Sequence, residues 1–321
     1  MNRRHFLYRM GGAAVGGLTL SSLGFSAKSM GLLHPGTSGV QIGAISYSFR
    51  QIPASAEEIL SYMVELGLNM VELIGSPAEE FAGGPAAPPF PRNWRELSEE
   101  ERAELRAERE AADKDAAEWR LSAPMDKFEA LGKMYRDAGV DIDILKLGNP
   151  GWSDGEIDYA FRAARAVGAR GISFEISNEA GERMGPFATK HELVTGMHNH
   201  TQVADEDFSF DIPLSYSPYN MLNLDIGHYV AGLGTSPIPV IQQYHDRITH
   251  LHLKDRKSPE NGGDNVPWGE GDTPIAEVLQ LLRDEAYPIP AMIELEYPIP
   301  EGSTVMEEMK KCVAYCREAL S

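Results

Sequence analysis

Acid and imidazole side chains recur at the ends of four short apolar stretches: Met197-His198-Asn199-His200, Asn223-Leu224-Asp225-Ile226-Gly227-His228, His250-Leu251-His252-Leu253-Lys254-Asp255 and Ile293-Glu294-Leu295-Glu296-Tyr297. In the last three, Leu222, Leu224, Ile226, Leu251, Leu253, Ile293 and Leu295 take one parity, while Asn223, Asp225, His250, His252, Lys254, Glu294 and Glu296 take the other. Successive strand side chains point to opposite faces. One face of each strand is therefore apolar, and the other carries groups that are costly to bury unless paired or bound to an ion. Asp225 and Glu294 offer oxygen, and His198 and His252 offer imidazole nitrogen. Such a mixed set suits Mn²⁺, Zn²⁺, Co²⁺ or Fe²⁺ better than Ca²⁺. Strands whose polar tips converge at one end describe the mouth of a barrel holding a divalent ion.

The rest of the chain supplies elements to build that barrel. Val40 to Phe49 reads as a strand, Ser55 to Leu66 as a helix capped by Ser55 and ended by Gly67, and Met70 to Ile74 as a second strand. The unit then repeats. Helices near Met125–Ala138, Gly155–Val167, Gly181–Glu192, Pro237–Tyr244 and Pro274–Glu285 precede strands at Asp141–Leu147, Gly171–Ser177, Val194–His200, Ile248–Lys254 and Ala291–Tyr297, and a last helix covers Thr304–Ala319. About eight strand–helix alternations predict an α/β fold, a closed (β/α)8 TIM barrel spanning residues 40–321. An open doubly wound sheet is the rival, but no Gly-rich phosphate turn follows the first strand.

One connection is too long for a simple barrel loop. Residues 76–124 open with Pro, Gly and Ala around Trp94 and continue as a charged helix from Ser98 to Trp119. Loops after barrel strands emerge at the catalytic end, so this insertion is expected over the mouth. Trp94, Trp119 and Arg120 are its candidates for contacting a ligand or a neighbouring subunit of a homo-oligomer.

The formal net charge of the 321 residues is −19, and −22 without the first 27, which hold Arg3, Arg4 and Arg9 but no acid. So acidic a body repels a phosphate backbone, which argues against nucleic acid as a partner. Asn2-Arg3-Arg4-His5-Phe6-Leu7, ahead of a Gly/Ala/Leu stretch, reads as a twin-arginine signal over residues 1–27, followed by a linker over 28–39. The expectation is export of the folded protein by the twin-arginine machinery to a periplasmic or other extracytoplasmic location. The two cysteines, Cys312 and Cys316, lie one helical turn apart and are expected as packed thiols.

Met197-His-Asn-His, Leu224-Asp-Ile-Gly-His, His250-Leu-His-Leu-Lys-Asp and Met292-Ile-Glu-Leu-Glu resemble the fifth to eighth strand motifs of the xylose-isomerase-like barrel superfamily, which includes sugar and sugar-phosphate isomerases and epimerases. The resemblance runs from about Val40 to the C-terminus, with its specific part from Leu193 onward. It implies a divalent ion held by Asp225, His252 and Glu294, with His198 standing where ketose epimerases carry a Glu that is also an acid–base group. Strand parity offers Glu175 as a replacement base inside the barrel, with pairing to Lys146 or Lys254 as the plainer account, and Glu72 is likewise inward.

The implied chemistry is abstraction of a carbon-bound proton next to a sugar carbonyl, through an enediolate. Glu294 or Glu175 takes the proton and Lys254 neutralises the developing oxyanion. His228, His200, Glu72, Glu296 and Trp268 are expected to contact the sugar, Trp268 by closing over a ring. Asp255 is expected to support a ligand imidazole. The substrate is then a free sugar or keto-sugar that is isomerised or epimerised. A lyase cleaving keto-sugar glycosides and a non-enzymatic sugar-binding protein of the cell envelope are the alternatives.

Overall fold

In a computed structural model the protein is described over residues 39–86 and 97–321; the segment read as an export signal, the linker up to residue 38 and Trp94 lie outside them. Eight parallel strands close in chain order: β1 (Ile42–Ile45), β2 (Met70–Ile74), β3 (Asp141–Lys146), β4 (Gly171–Glu175), β5 (Val194–His198), β6 (Asn220–Asp225), β7 (Ile248–Leu253) and β8 (Ala291–Ile293). The helices are α1 (Ala56–Leu66), α2 (Gly75–Phe81), α3 (Glu99–Arg120), α4 (Met125–Asp137), α5 (Asp154–Val167), α6 (Asn178–His191), α7 (Asp211–Ser215), α8 (Ile226–Leu233), α9 (Ile238–Tyr244), α10 (Ile275–Asp284) and α11 (Val305–Ala319). This is a (β/α)8 TIM barrel. Among the described residues no helix is long and apolar enough to cross a membrane.

Local chemistry accounts for most boundaries. Ser55 caps α1 through a capping box with Glu58, and left-handed Gly67 ends that helix. Ser98 with Glu101 and Ser153 with Glu156 repeat the device on α3 and α5. The apolar face of each strand packs beneath the helices in one continuous core that includes Val71, Ile172, Leu222, Leu251 and Ile293. Cys312 and Cys316 are free, buried thiols within it.

Several strands stop short of the expected ends. β1 gives way to a 3-10 turn at Ser46–Phe49, β4 ends at Glu175, β5 at His198 and β8 at Ile293. Parallel strands keep their form only where both neighbours continue the ladder, and β1 meets β8 over Ile42–Ala44 and β2 over Ala44–Ile45 alone. Past those points alternation no longer says which way a side chain points.

The connection from β2 to β3 carries α2, α3 and α4. Its contacts correct the expectation for Trp119 and Arg120. Trp119 packs on Phe128 and edge-on against Tyr159, 6.0 Å between centroids. Arg120 donates from Nε to Glu79 at 2.7 Å, lies 3.4 Å from Glu156, and sets its guanidinium 4.1 Å from the Trp152 ring centre. Buried aromatic and charge-paired groups of this kind tie the end of α3 to the barrel wall, with Trp119 taken up by packing and the Arg120 charge by Glu79 and Glu156.

Candidate metal centre

The C-terminal ends of β5 to β8 bring four predicted ligands together. One ligand atom from each of His198, Asp225, His252 and Glu294 lies within 4.8 Å of the others, and all four residues are buried. His198 Nε2 is 3.4 Å from Asp225 Oδ2, which is 3.9 Å from His252 Nδ1; that nitrogen is 2.9 Å from Glu294 Oε2. Ligands sharing one ion at ~2.1 Å stand ~3–4 Å apart. His252 Nδ1 and Glu294 Oε2 are both buried, and Glu294 Oε2 also lies 2.9 Å from the Lys254 ammonium. Buried imidazole nitrogens and carboxylate oxygens converging at one point are the pattern expected of ligands to a cation. The donor set fits a divalent ion.

Each imidazole is backed by a carboxylate. Glu72, wholly buried on β2, accepts from the Ser173 hydroxyl and pairs with His252 Nε2 and, at 3.1 Å, with His250 Nε2. This leaves His252 Nδ1 facing Asp225 and Glu294. Glu175 Oε2 lies 3.0 Å from His198 Nδ1, which turns His198 Nε2 toward Asp225. Carboxylates behind ligand imidazoles fix ring orientation and tautomer. Asn199 accepts from the Asp225 N–H at 2.9 Å and donates to its carbonyl at 3.1 Å, locking β5 to β6 at that point.

Lys254 enters from the far side. Its ammonium is 3.0 Å from Asp225, 2.9 Å from Glu294 and 2.7 Å from Glu296, and the residue is only 2% exposed. A Cβ on Gly227 would stand 2.3 Å from Lys254 Cγ, so glycine is what lets the lysine stem pass. Burial alone would raise the Asp225 pKa and lower that of Lys254. Their attraction reverses both, holding Asp225 well below the usual carboxylate range and Lys254 above the usual lysine range.

The remaining predicted residues divide. His200 and His228 line the mouth, their rings stacked at 4.5 Å between centroids. His200 Nε2 is 3.0 Å from Glu175 Oε2, and that contact raises its pKa against the opposing effect of burial. Burial drives His228 down to about 3, and a hydrogen bond from Arg256 holds the neutral imidazole. With a guanidinium on His228 and with both nitrogens of the Glu72 pair already engaged, the other imidazole-rich groups, His198–His200–His228 and Glu72–His250–His252, are poorer cation sites.

Four expectations are corrected. Glu72 is sealed below the ligands and touches His252, not the mouth. Glu175 lies at the rim rather than inside, its side chain 56% exposed, because β4 ends on it; its oxygens engage Lys146 at 3.0 Å, His198 and His200. Burial would raise its pKa, but those donors hold it far below the carboxylate norm. Trp268 packs edge-on against Tyr315 of α11, 5.6 Å between centroids, as part of the outer layer. Asp255 accepts the N–H groups of Gly269, Gly271 and Thr273, shaping the loop after β7 instead of supporting an imidazole. Glu296 reaches the cluster through Lys254. Arg256, which the sequence reading did not single out, has no spacing signal; it meets His228 through the fold alone.

The ion-free cluster predicts a proton inventory. Burial alone would lower the His252 pKa, but the carboxylates of Glu72 and Glu294 outweigh it and push it up to about 10. His252 is therefore protonated at pH 7.5 without metal, and an ion taking Nδ1 displaces that proton. Zn²⁺ or Mn²⁺ binding is expected to release about one proton below ~pH 10, its apparent affinity rising roughly tenfold per pH unit between ~7 and ~9. Calorimetry in two buffers of different ionisation enthalpy measures this. Zero release would remove His252 from the ligand set.

Residues 215–315 match the model of a family described as Xylose isomerase-like TIM barrel. No curated protein matches the chain in sequence. Among solved structures, the probable 3-DHS dehydratase AsbF of Bacillus anthracis is 17% identical with a TM-score of 0.57, covering 86% of this chain and 98% of its own. The 3-keto-D-glucoside 4-epimerase YcjR of E. coli is 14% identical with a TM-score of 0.53, covering 87% and 99%. A sugar phosphate isomerase/epimerase of Parabacteroides distasonis is 18% identical with a TM-score of 0.51, covering 86% and 93%. At these identities the likeness is one of fold. The fold is a TIM barrel, and its C-terminal third, residues 215–315, is similar to the xylose isomerase-like family.

Proposed function

We propose that the protein is a divalent-metal-dependent isomerase or epimerase of a free sugar or keto-sugar, working by removal and return of a proton next to the carbonyl. The observation that carries this reading is the convergence of His198, Asp225, His252 and Glu294, all buried, on one point. A Mn²⁺, Zn²⁺ or Co²⁺ ion held there would supply Lewis acidity toward adjacent carbonyl and hydroxyl oxygens. Glu294, the residue that follows β8, would take the proton. Glu175 and His200 lie at the ends of β4 and β5 across the mouth, where the exposed His200 imidazole, held by Glu175, can hand a proton to the opposite face. Lys254 sets its ammonium against the carboxylates and balances charge as an oxyanion develops. His228 offers a neutral imidazole to sugar hydroxyls.

Proton abstraction is shared with a lyase, in which the enolate expels a substituent instead of being reprotonated. The fold-level neighbours include both an epimerase and a dehydratase, so the first step is the firmer part of the proposal. Arg3 and Arg4 support export by the twin-arginine route, which favours an unphosphorylated substrate outside the cytoplasm. The test is metal quantification on purified protein with a deuterium-uptake screen of keto-sugars in D₂O. Stoichiometric transition metal and metal-dependent deuterium incorporation are expected. A metal-free protein whose stability is indifferent to chelator would favour a non-enzymatic sugar-binding role.

A further inference from the structure

The catalytic face holds a second hollow beside the metal cluster, of about 280 Å³. Its floor is the ends of β2 and β3 at Gly75, Lys146 and Gly148, one wall is Trp152, and α3 covers it with Ala112 and Ala116. Pockets for small molecules begin near ~300 Å³, so this one has room for a single ring. Lys146 joins it to the cluster: its ammonium is 3.0 Å from Glu175 Oε1, while Glu175 Oε2 is 3.0 Å from His198 Nδ1. A molecule held at the metal ligands and one ring longer than a monosaccharide reaches the hollow across Glu175.

The lining specifies what that ring is. Ala112 and Ala116, one turn apart on α3, line the opening with methyl groups, and Asp113 lies at its rim. Trp152 is half-buried, with the Arg120 guanidinium lying 4.1 Å from its ring centre, which holds the indole as a fixed platform. The Arg120 charge is taken up by Glu79 and Glu156, and that of Lys146 by Glu175. No cation among these is left for a phosphate. A neutral ring with one flat face, a sugar or an aromatic group, matches.

We infer that this hollow is a distal subsite that takes the second ring of a keto-sugar glycoside whose reacting sugar lies at the metal cluster. The inference rests on the proton-abstraction reading and narrows its substrate from a free sugar to a glycoside. Wild-type protein is then expected to exchange deuterium into a phenyl keto-glucoside with kcat/KM roughly tenfold or more above that for the free keto-sugar, mostly through KM. Ala116→Trp fills the hollow from a partly exposed helix position. It should abolish that preference while leaving exchange into the free keto-sugar within about twofold.

Equal kcat/KM on both substrates in the wild type, or an undiminished preference in Ala116→Trp, overturns the subsite. Absence of exchange with every keto-sugar counts against the proposed function instead. The subsite is then decided by calorimetric binding of unreactive phenyl β-glucoside: binding to the wild type that Ala116→Trp abolishes upholds it. No binding to the wild type, or equal binding to both, refutes it.

Discussion

Glu294→Gln is expected to slow deuterium exchange into a keto-sugar by about 10³-fold or more, and His252→Ala to abolish it along with bound metal. The first estimate combines loss of a general base, typically 10²–10⁴-fold, with weaker ion binding from a poorer oxygen donor. Glu294 joins the ligand cluster and contacts the buried lysine, as Asp225 does, but Asp225 also caps α8 through Oδ1, so the two are not interchangeable. His252→Ala acts differently. It removes the nitrogen that Glu72 aims at the cluster and leaves that carboxylate buried with His250, Ser173 and Asn223. Metal content separates the two cases: Glu294→Gln retains some ion at high metal concentration, and His252→Ala does not. Glu175→Gln serves as the comparison. Its oxygens are occupied by Lys146, His198 and His200 and its basicity is correspondingly low, so a smaller loss is expected. Wild-type exchange in Glu294→Gln or His252→Ala would remove the assignment, and a larger loss in Glu175→Gln would transfer the base to β4.

The ligand cluster was legible because alternation is a strict rule along a strand, and β6 and β7 obey it up to Asp225 and His252. Where the strand ends, the rule ends. Ser173 points inward to Glu72 as parity predicts, yet Glu175, two residues on, sits at the rim because the ladder with β5 stops there. Ile226 continues the apolar alternation of β6 but belongs to α8. The cue was the Asp225–His228 spacing, since Asp225 Oδ1 accepts the His228 N–H at 2.6 Å and caps the helix. A ligand that also caps a helix is fixed on both counts. Glu72 could be placed inward but not assigned its partners, because its contacts to His250 and His252 cross 178 and 180 residues of chain. Arg120 was misread for a related reason: in sequence it ends a charged helix, while its acceptors Glu79 and Glu156 come from two other elements.

Lys254→Met is the substitution expected to cost the metal-free fold most. The ammonium lies within 3.0 Å of Asp225, Glu294 and Glu296, and the first two are buried. Removing one partner of a buried ion pair leaves the other uncompensated, at about 3–5 kcal/mol. For a domain of this size that corresponds to a fall in Tm of roughly 6–10 °C. Methionine keeps the length and apolar volume of the stem that passes Gly227, so the loss is electrostatic rather than a packing defect. A divalent ion supplies two positive charges at the same carboxylate oxygens. The variant should therefore bind metal and recover much of its stability when loaded, while the wild type, already neutralised from within, gains less. Thermal unfolding of both proteins with chelator and with saturating Zn²⁺ reads the difference. A Lys254→Met protein as stable as the wild type without metal would mean that the carboxylates are protonated there. The charge balance on which the ligand assignment depends would then be wrong.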